Sequence, residues 1–370
     1  MVSKKITPFA KTAPKKISKL VKKHVAGNKA ISLALQGGGA HGAYTWGVLD
    51  RLLEDERISI EAISGTSAGA MNGAILVHGF AKGGYKGARE GLAQFWRRVS
   101  EIGSFSPVQQ TPFDRILNGW NLDASPVYTA YDIASRLFSP YQINPLNYNP
   151  LRQVLEEMLD IDLLNAHDGI KLFITATSVR TGQERVFHCQ EVTIDTLLAS
   201  TCLPTLFQAV EIEGEFYWDG GYSGNPALWP LIYNCKSQDI MLVQINPFVR
   251  EEVPTKANEI IDRMNEISFN SSLIAEFRAI KFVSKMVRQH KLDQNEYKDL
   301  RTHIVFSPGE LHDLNASSKM NANWDFFVYL REIGRAAMDA WLKKNFDNLG
   351  NKSTFHFEEA FQLKKKRAVA

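Results

Sequence analysis

The chain has 370 residues, 44% of them hydrophobic, and a formal net charge of +3, enough to bury one large core or a domain with a subdomain. No apolar run approaches the length of a transmembrane helix, and the three cysteines, Cys189, Cys202 and Cys235, are scattered in apolar surroundings, as buried free thiols of a reducing compartment would be. A soluble, cytoplasmic enzyme is expected, and no metal or other cofactor is implied, since no H-E-x-x-H, C-x-x-C or EF-hand pattern occurs.

Charge is unevenly placed. Residues 1–30 hold nine lysines and no acidic residue, leaving a body with 34 basic against 40 acidic residues. Within this tail Ile17, Leu20, Val21 and Val25 share one helical face, and Lys15, Lys16, Lys19, Lys22 and Lys23 populate the rest. Two readings stand: an interfacial helix making peripheral contact with an anionic membrane, at about 1 kcal/mol per lysine, and a solvated tail. Nucleic acid is a poor partner, because neither tail interleaves aromatic residues with its lysines and the acidic body would repel phosphate. Oligomeric state is left open.

The body opens with an apolar run, Ile31 to Leu35, then Gly37-Gly38-Gly39-Ala40-His41-Gly42, then a helical pattern from Ala43 to Leu53. A glycine loop entering a helix aims unpaired N–H groups at an anion, either a phosphate or a developing oxyanion. The spacing G-G-G-x-x-G fits a dinucleotide fingerprint poorly, and no Gly-Lys-Ser/Thr ends it as in a P-loop. Next, Ile58 to Ile63 alternates as a strand should, and Ala68 to His78 is rich in Ala, Met, Ile and Leu as a buried helix should be. Between them lies Gly65-Thr66-Ser67-Ala68-Gly69, the G-x-S-x-G of a nucleophile elbow, with Gly65 and Gly69 relieving the tight turn around Ser67.

From Ser104 to Pro150 the sequence is irregular, proline-containing and aromatic, with Phe105, Phe113, Trp120, Tyr128 and Tyr141 among others. Long insertions are usually functional. Here the expectation is a cap over an acyl-chain pocket with Phe113 and Trp120 against substrate; the plainer alternative is a small packed subdomain. Leu151 to Leu159 reads as a helix, and Ile170 to Val179 and Asp239 to Ile245 as buried parallel strands. Ala209 to Trp218 reads as a strand or hairpin ending at Asp219-Gly220-Gly221, with Asn225-Pro226 closely following. Helical spacing returns in Ala257 to Gln289 and in Trp324 to Leu342. The pattern describes an α/β sandwich with its ligand site beyond the carboxyl ends of the strands.

The ordered set G-G-G-x-x-G, G-T-S-A-G and D-G-G resembles the patatin-like phospholipase family, over roughly Ile31 to Phe248. The resemblance implies a three-layer α/β fold with a mostly parallel central sheet and helices on both faces. It also implies a Ser–Asp dyad that hydrolyses fatty-acyl esters of (phospho)lipids in the manner of a phospholipase A or lysophospholipase. Ser67 would be the nucleophile, Asp219 the base, and the backbone of Gly37, Gly38 and Gly39 the oxyanion hole. The stretch Ala199 to Pro204 also resembles a segment of bacterial members. Members often carry Arg or Lys where this chain has His41, and some have Asp where it has Gln36, which bears on any charge-based role of that loop.

The expected organisation is a basic tail at 1–30, a catalytic domain at 31–310 with the insertion at 104–150, and a helical region with a basic tail at 311–370. Two alternatives remain beside a nucleotide-binding α/β domain that would use Gly37 to Gly42 for phosphate. His312 follows the strand-like Thr302 to Phe306, so a Ser67/Asp219/His312 triad would give an α/β-hydrolase-type esterase. A lipid-surface binding protein with conditional or no hydrolase activity would share the same motifs.

Overall fold

The computed structural model describes residues 29–106 and 108–361. Apart from Lys29 and Ala30, the basic tail and its amphipathic face lie outside these residues, as does the run Lys364 to Arg367.

Strands β1 (Lys29–Leu35), β2 (Ile58–Thr66), β3 (Lys171–Ser178), β4 (Glu184–His188), β5 (Val210–Ile212), β6 (Glu215–Asp219), β7 (Asp239–Val243) and β8 (Arg301–Val305) form one sheet. Its order is β5-β6-β3-β2-β1-β7-β8, with β4 also paired to β3. The run β3-β2-β1-β7-β8 is parallel throughout, and β4, β5 and β6 add antiparallel pairing at one edge. All five residues of β7 are buried, Asp239 included, and Ile240 to Val243 form the apolar run of a covered parallel strand.

Side chains alternate across the sheet, so each strand feeds two cores. On one face Leu33, Leu35 and Ile63 pack with helices α1 (Gly42–Leu52), α2 (Ala68–Gly103) and, far along the chain, Trp324–Asn345. On the other face Ala34, Ala62 and Leu242 pack with Leu273 and Phe277 of the long helix Ala257–Arg288. The result is a three-layer α/β sandwich with a mixed, mostly parallel sheet. Phe326, Phe327 and Leu330 share the first core with Tyr44 and Leu49, so packing runs continuously across positions 310 and 311.

The stretch read as irregular holds short helices: Pro112–Asn118, α3 (Pro126–Leu137), Pro140–Ile143 and, at its end, Pro150–Met158. Each begins with proline in its first turn, after Thr111, Ser125, Ser139 or Asn149. Proline lacks only an N–H that the first turn would leave unpaired, and the side chains of Thr111, Ser125 and Asn149 cap their helices. The prolines that break a periodicity reading are here the start signals.

One pair of half-buried carboxyls steadies the segment after Asn225-Pro226. Glu276 Oε2, from the long helix, accepts the Leu228 N–H at 2.5 Å, and Glu184 Oε1 accepts the Trp229 indole N–H at 2.7 Å. Burial raises the Glu276 carboxyl to about 8 from an ordinary 4.5. Because its folded-state pKa is raised, ionisation penalises the folded state, and stability falls as pH rises from about 4.5 to about 8. Glu276→Gln should therefore melt a few degrees above the wild type at pH 8, with the difference closing near pH 4. Thermal melts at the two pH values check this, and an equal difference at both would contradict it.

Candidate active site

Strand β3 sets the spacing of the site. Thr66, the last residue of β2, lies opposite Thr175 on one side of β3, and Asp219, the last residue of β6, lies opposite Ala176 on the other. Ser67 and Asp219 thus leave the sheet at the same level, one strand apart. The Ser67 hydroxyl faces the Asp219 carboxylate across the remaining gap, near enough to favour its charged form.

Ser67 has φ 54° and ψ −123°, a left-handed conformation that for a residue with a Cβ stores about 1–3 kcal/mol. The glycines of the elbow make this turn feasible. A Cβ on Gly69 would sit 2.1 Å from the Leu35 carbonyl oxygen, so only glycine lets the first turn of α2 press against the end of β1. Gly65 closes the buried end of β2 just before the turn.

The segment Ala199 to Pro204 holds both members of the pair. Ser200 Oγ accepts the Ser67 N–H at 2.9 Å and donates to the Thr175 carbonyl at 2.7 Å. The Cys202 carbonyl accepts the Asp219 N–H at 2.7 Å. A reading of the sequence marks this segment by likeness alone, since its role exists only across three strands.

Asp219 is 2% exposed. Burial raises its carboxyl to about 6, against the opposing pull of the Gly221 N–H, the Ser67 hydroxyl and the charge of Lys319. The Gly221 N–H reaches Oδ1 at 2.7 Å, which is the service that the small residues after the aspartate provide. The carboxyl is thereby poised near the working pH of a general base.

The glycine loop lies directly over the serine: a Cβ on Gly37 would fall 2.7 Å from Ser67 Cβ. Its three expected donors are not equivalent. The Gly37 N–H is bonded to Asn225 Oδ1 at 2.7 Å, so it is committed to positioning the loop. Gly38 and Gly39 keep N–H groups with no hydrogen-bond partner among the described residues. Gln36 anchors the loop from below with all its polar atoms. Its Oε1 accepts from the Ile245 and Asn246 N–H groups at 2.8 and 2.9 Å, and its Nε2 donates to the Asn225 carbonyl and to Asn270 Oδ1. A carboxylate at position 36 could accept but not donate. His41 is buried against Ser318 Oγ at 2.8 Å, and burial together with Lys319 and Arg250 holds it well below the ordinary histidine range, hence neutral.

A cavity of about 1280 Å³ opens over Ser67 and Asp219. Met71 and Trp96 line it on the side of α2, Tyr128 and Tyr131 of α3 on another, and Phe207 and Leu314 elsewhere. Trp120 is not among its lining residues; it stacks on Phe326 and Tyr329 at 5.1 and 5.5 Å, with the Arg115 guanidinium over its other side at 4.0 Å. Packing of the insertion on the helix Trp324–Asn345 thus takes the place of the expected substrate contact. Phe113 lies in Pro112–Asn118, its side chain outside the described residues. His312 lines the cavity, but it is exposed and paired to Asp313 at 3.1 Å, while Arg250 donates to its carbonyl. The Asp219 carboxylate accepts from the Gly221 N–H and feels Ser67 and Lys319, not this histidine. Among the described residues no three or more His, Cys, Asp or Glu side chains converge as a metal site would, and no helix is long and apolar enough to cross a membrane.

A family model described as patatin-like phospholipase matches residues 33–232. Among solved structures, VipD from Legionella pneumophila is similar with a TM-score of 0.34 and 16% identity, over 83% of this chain and 67% of that one. A chain of the heterodimeric ExoU–SpcU complex from the type III secretion system of Pseudomonas aeruginosa gives 0.34 and 17%, over 86% and 52%. The type III effector protein ExoU gives 0.32 and 15%, over 86% and 53%. The chain spans about half the length of the two ExoU chains. No curated protein matches it.

Ser200→Ala removes an acceptor from the half-buried Ser67 N–H and a donor from the buried Thr175 carbonyl. It should lower stability by about 1–3 kcal/mol and reduce kcat on an ester substrate more than it changes KM, because it disturbs where Ser67 points. Denaturant titration beside steady-state kinetics checks this; an unaltered kcat would show that the elbow holds its shape without the bridge.

Proposed function

The chain belongs to the patatin-like phospholipase family, and from that premise we propose that it is a lipid acyl hydrolase working through a Ser67–Asp219 dyad. The observation that carries the reading is the buried Asp219 carboxylate facing the hydroxyl of a serine held at an elbow, beside two backbone N–H groups with no partner among the described residues. Ser67 Oγ attacks the ester carbonyl while its proton passes to Asp219. The N–H groups of Gly38 and Gly39 stabilise the tetrahedral oxyanion, assisted by the positive end of the following helix α1. Collapse releases the alcohol, which takes the proton from Asp219. Asp219 then deprotonates a water that attacks the acyl-enzyme, and Ser67 Oγ leaves with that proton from Asp219, freeing the fatty acid. The same side chain serves as base and acid in turn, so no histidine is required.

The cavity supplies the apolar wall that such chemistry needs. Helix α3 buries none of its side chains, yet Tyr128 and Tyr131 line the cavity. The same insertion exposes Phe105, Leu137, Leu146 and Tyr148. Apolar groups of this size in the open suit contact with a lipid surface. We place the catalytic unit at residues 31 to about 345, since Leu314, Ser317 and Lys319 line the cavity and the helix Trp324–Asn345 packs in the first core.

Ser67→Ala and Asp219→Asn should each lose about a thousandfold or more in acyl release from phospholipid and p-nitrophenyl ester substrates, with His312→Ala near the wild type. Loss in His312→Ala would establish the triad instead, and an inactive wild type would favour the lipid-surface binding reading. The acid limb of kcat/KM should fall as pH drops through about 6, where Asp219 takes up its proton. Tyr128→Ala or Tyr131→Ala should shift acyl chain-length preference, whereas Trp120→Ala should lower the melting temperature and leave that preference unaltered. A panel of esters of graded chain length separates the two.

A further inference from the structure

The glycine loop carries no charge of its own, because His41 is neutral. A cation nevertheless stands beside it, brought by a segment that the family model does not reach. Ser317–Met320 forms a single tight helical turn whose Lys319 carbonyl presses on the loop; a Cβ on Gly39 would lie 2.6 Å from that oxygen. Ser318 Oγ meets His41 Nε2 at 2.8 Å. Lys319 Nζ donates to Asn246 Oδ1 at 2.8 Å, and Asn246 Nδ2 donates to the Gly37 carbonyl at 2.8 Å. The lysine is thereby fixed to the same loop that stands over Ser67, and it lines the cavity.

What sets Lys319 apart is its lack of an ionic partner. An ammonium carries three N–H donors, and one of them is used. The carboxylates around it are committed elsewhere. Glu266 is paired with Arg250 and Arg263, Asp262 accepts the Ala316 N–H, and Asp123 accepts from Ser317 Oγ. Among the described residues none comes within ion-pair distance of Lys319; burial, aided by the charge of Arg250, pulls its ammonium below the ordinary lysine range, and the charges of Glu266, Asp262 and Asp219 offset this only in part. Confining a cation without a partner is unfavourable unless something else supplies the counter-charge. Spare N–H donors on a cavity wall beside an acyl-transfer centre are positioned for an anionic oxygen of the substrate.

We propose that Lys319 binds the phosphodiester of a glycerophospholipid, and so selects phospholipids over neutral acylglycerols that carry the same acyl chains. The inference rests on the lipid-hydrolase reading of Ser67 and Asp219 and names the substrate class for that site. The lysine does not take part in bond making; it fixes the phosphate, and through it the scissile ester, against the loop.

The test compares dihexanoylphosphatidylcholine with dihexanoylglycerol, both below their aggregation limits, in the wild type and in Lys319→Met. The ratio of kcat/KM for phospholipid over diacylglycerol should fall about tenfold to a hundredfold, the size expected for losing a charged hydrogen bond. An unchanged ratio, whatever the absolute rates, overturns the proposal. Because Lys319→Met removes a buried contact, the unaltered protein supplies a second readout. Glycerophosphocholine should compete with p-nitrophenyl butyrate hydrolysis, and glycerol at the same concentration should not; equal behaviour of the two also overturns it. Should the wild type hydrolyse neither lipid, calorimetric titration of Ser67→Ala, with and without Lys319→Met, by dihexanoylphosphatidylcholine still decides the matter. Weaker binding in the double variant supports the phosphate contact even if the hydrolase reading fails, and equal binding rejects it.

Discussion

A carboxylate almost out of reach of water is the constraint around which this molecule is arranged. Leaving Asp219 buried is unfavourable for its charged form, and the surroundings offset that without abolishing it. The Gly221 N–H, the Ser67 hydroxyl and the charge of Lys319 all favour ionisation, yet burial prevails and leaves the pKa at about 6. A more polar pocket would make Asp219 a weak base, and a fully apolar one would keep it protonated at neutral pH. The sheet provides the intermediate condition by placing Asp219 one strand from Ser67, with β3 between them.

Distant parts of the chain converge on that pair. Ser200 and Cys202 hold the two backbone N–H groups at residues 67 and 219. Asn225 takes up the Gly37 N–H, and Gln36 ties β1 to the turn after β7 and to Asn270 on the long helix. Ser318 and Lys319 close over the glycine loop from beyond residue 310. These groups are buried amides, hydroxyls and one ammonium, so each missing partner would leave an unsatisfied polar atom in the interior. The site is preorganised because its supports have few alternative arrangements.

Much of this was legible in the sequence, for reasons tied to particular residues. The mostly apolar runs at 31–35 and 239–243 announce covered parallel strands, and the helical spacing at 257–288 and 324–345 survives folding because those helices pack one face each. The glycines around Ser67 are informative because a Cβ at position 69 would overlap the Leu35 carbonyl. The insertion was harder to read. Its prolines suggest irregularity, whereas Thr111, Ser125, Ser139 and Asn149 turn them into helix starts. Trp120 was misplaced because an aromatic side chain gives no sign of which partner it will stack on. Ser200, Asn246 and Lys319 could not have been assigned at all, since each acts only through a contact with a distant segment.

The most direct measurement is covalent labelling by a long-chain alkyl fluorophosphonate, with the modified residue located by mass spectrometry across a pH series. A phosphonyl group on Ser67, absent in Asp219→Asn, retained in His312→Ala and with labelling rate rising through about pH 6, is the expected result. Label on another residue, labelling of Ser67 that persists without the Asp219 carboxylate, or labelling that vanishes with His312 would contradict the dyad.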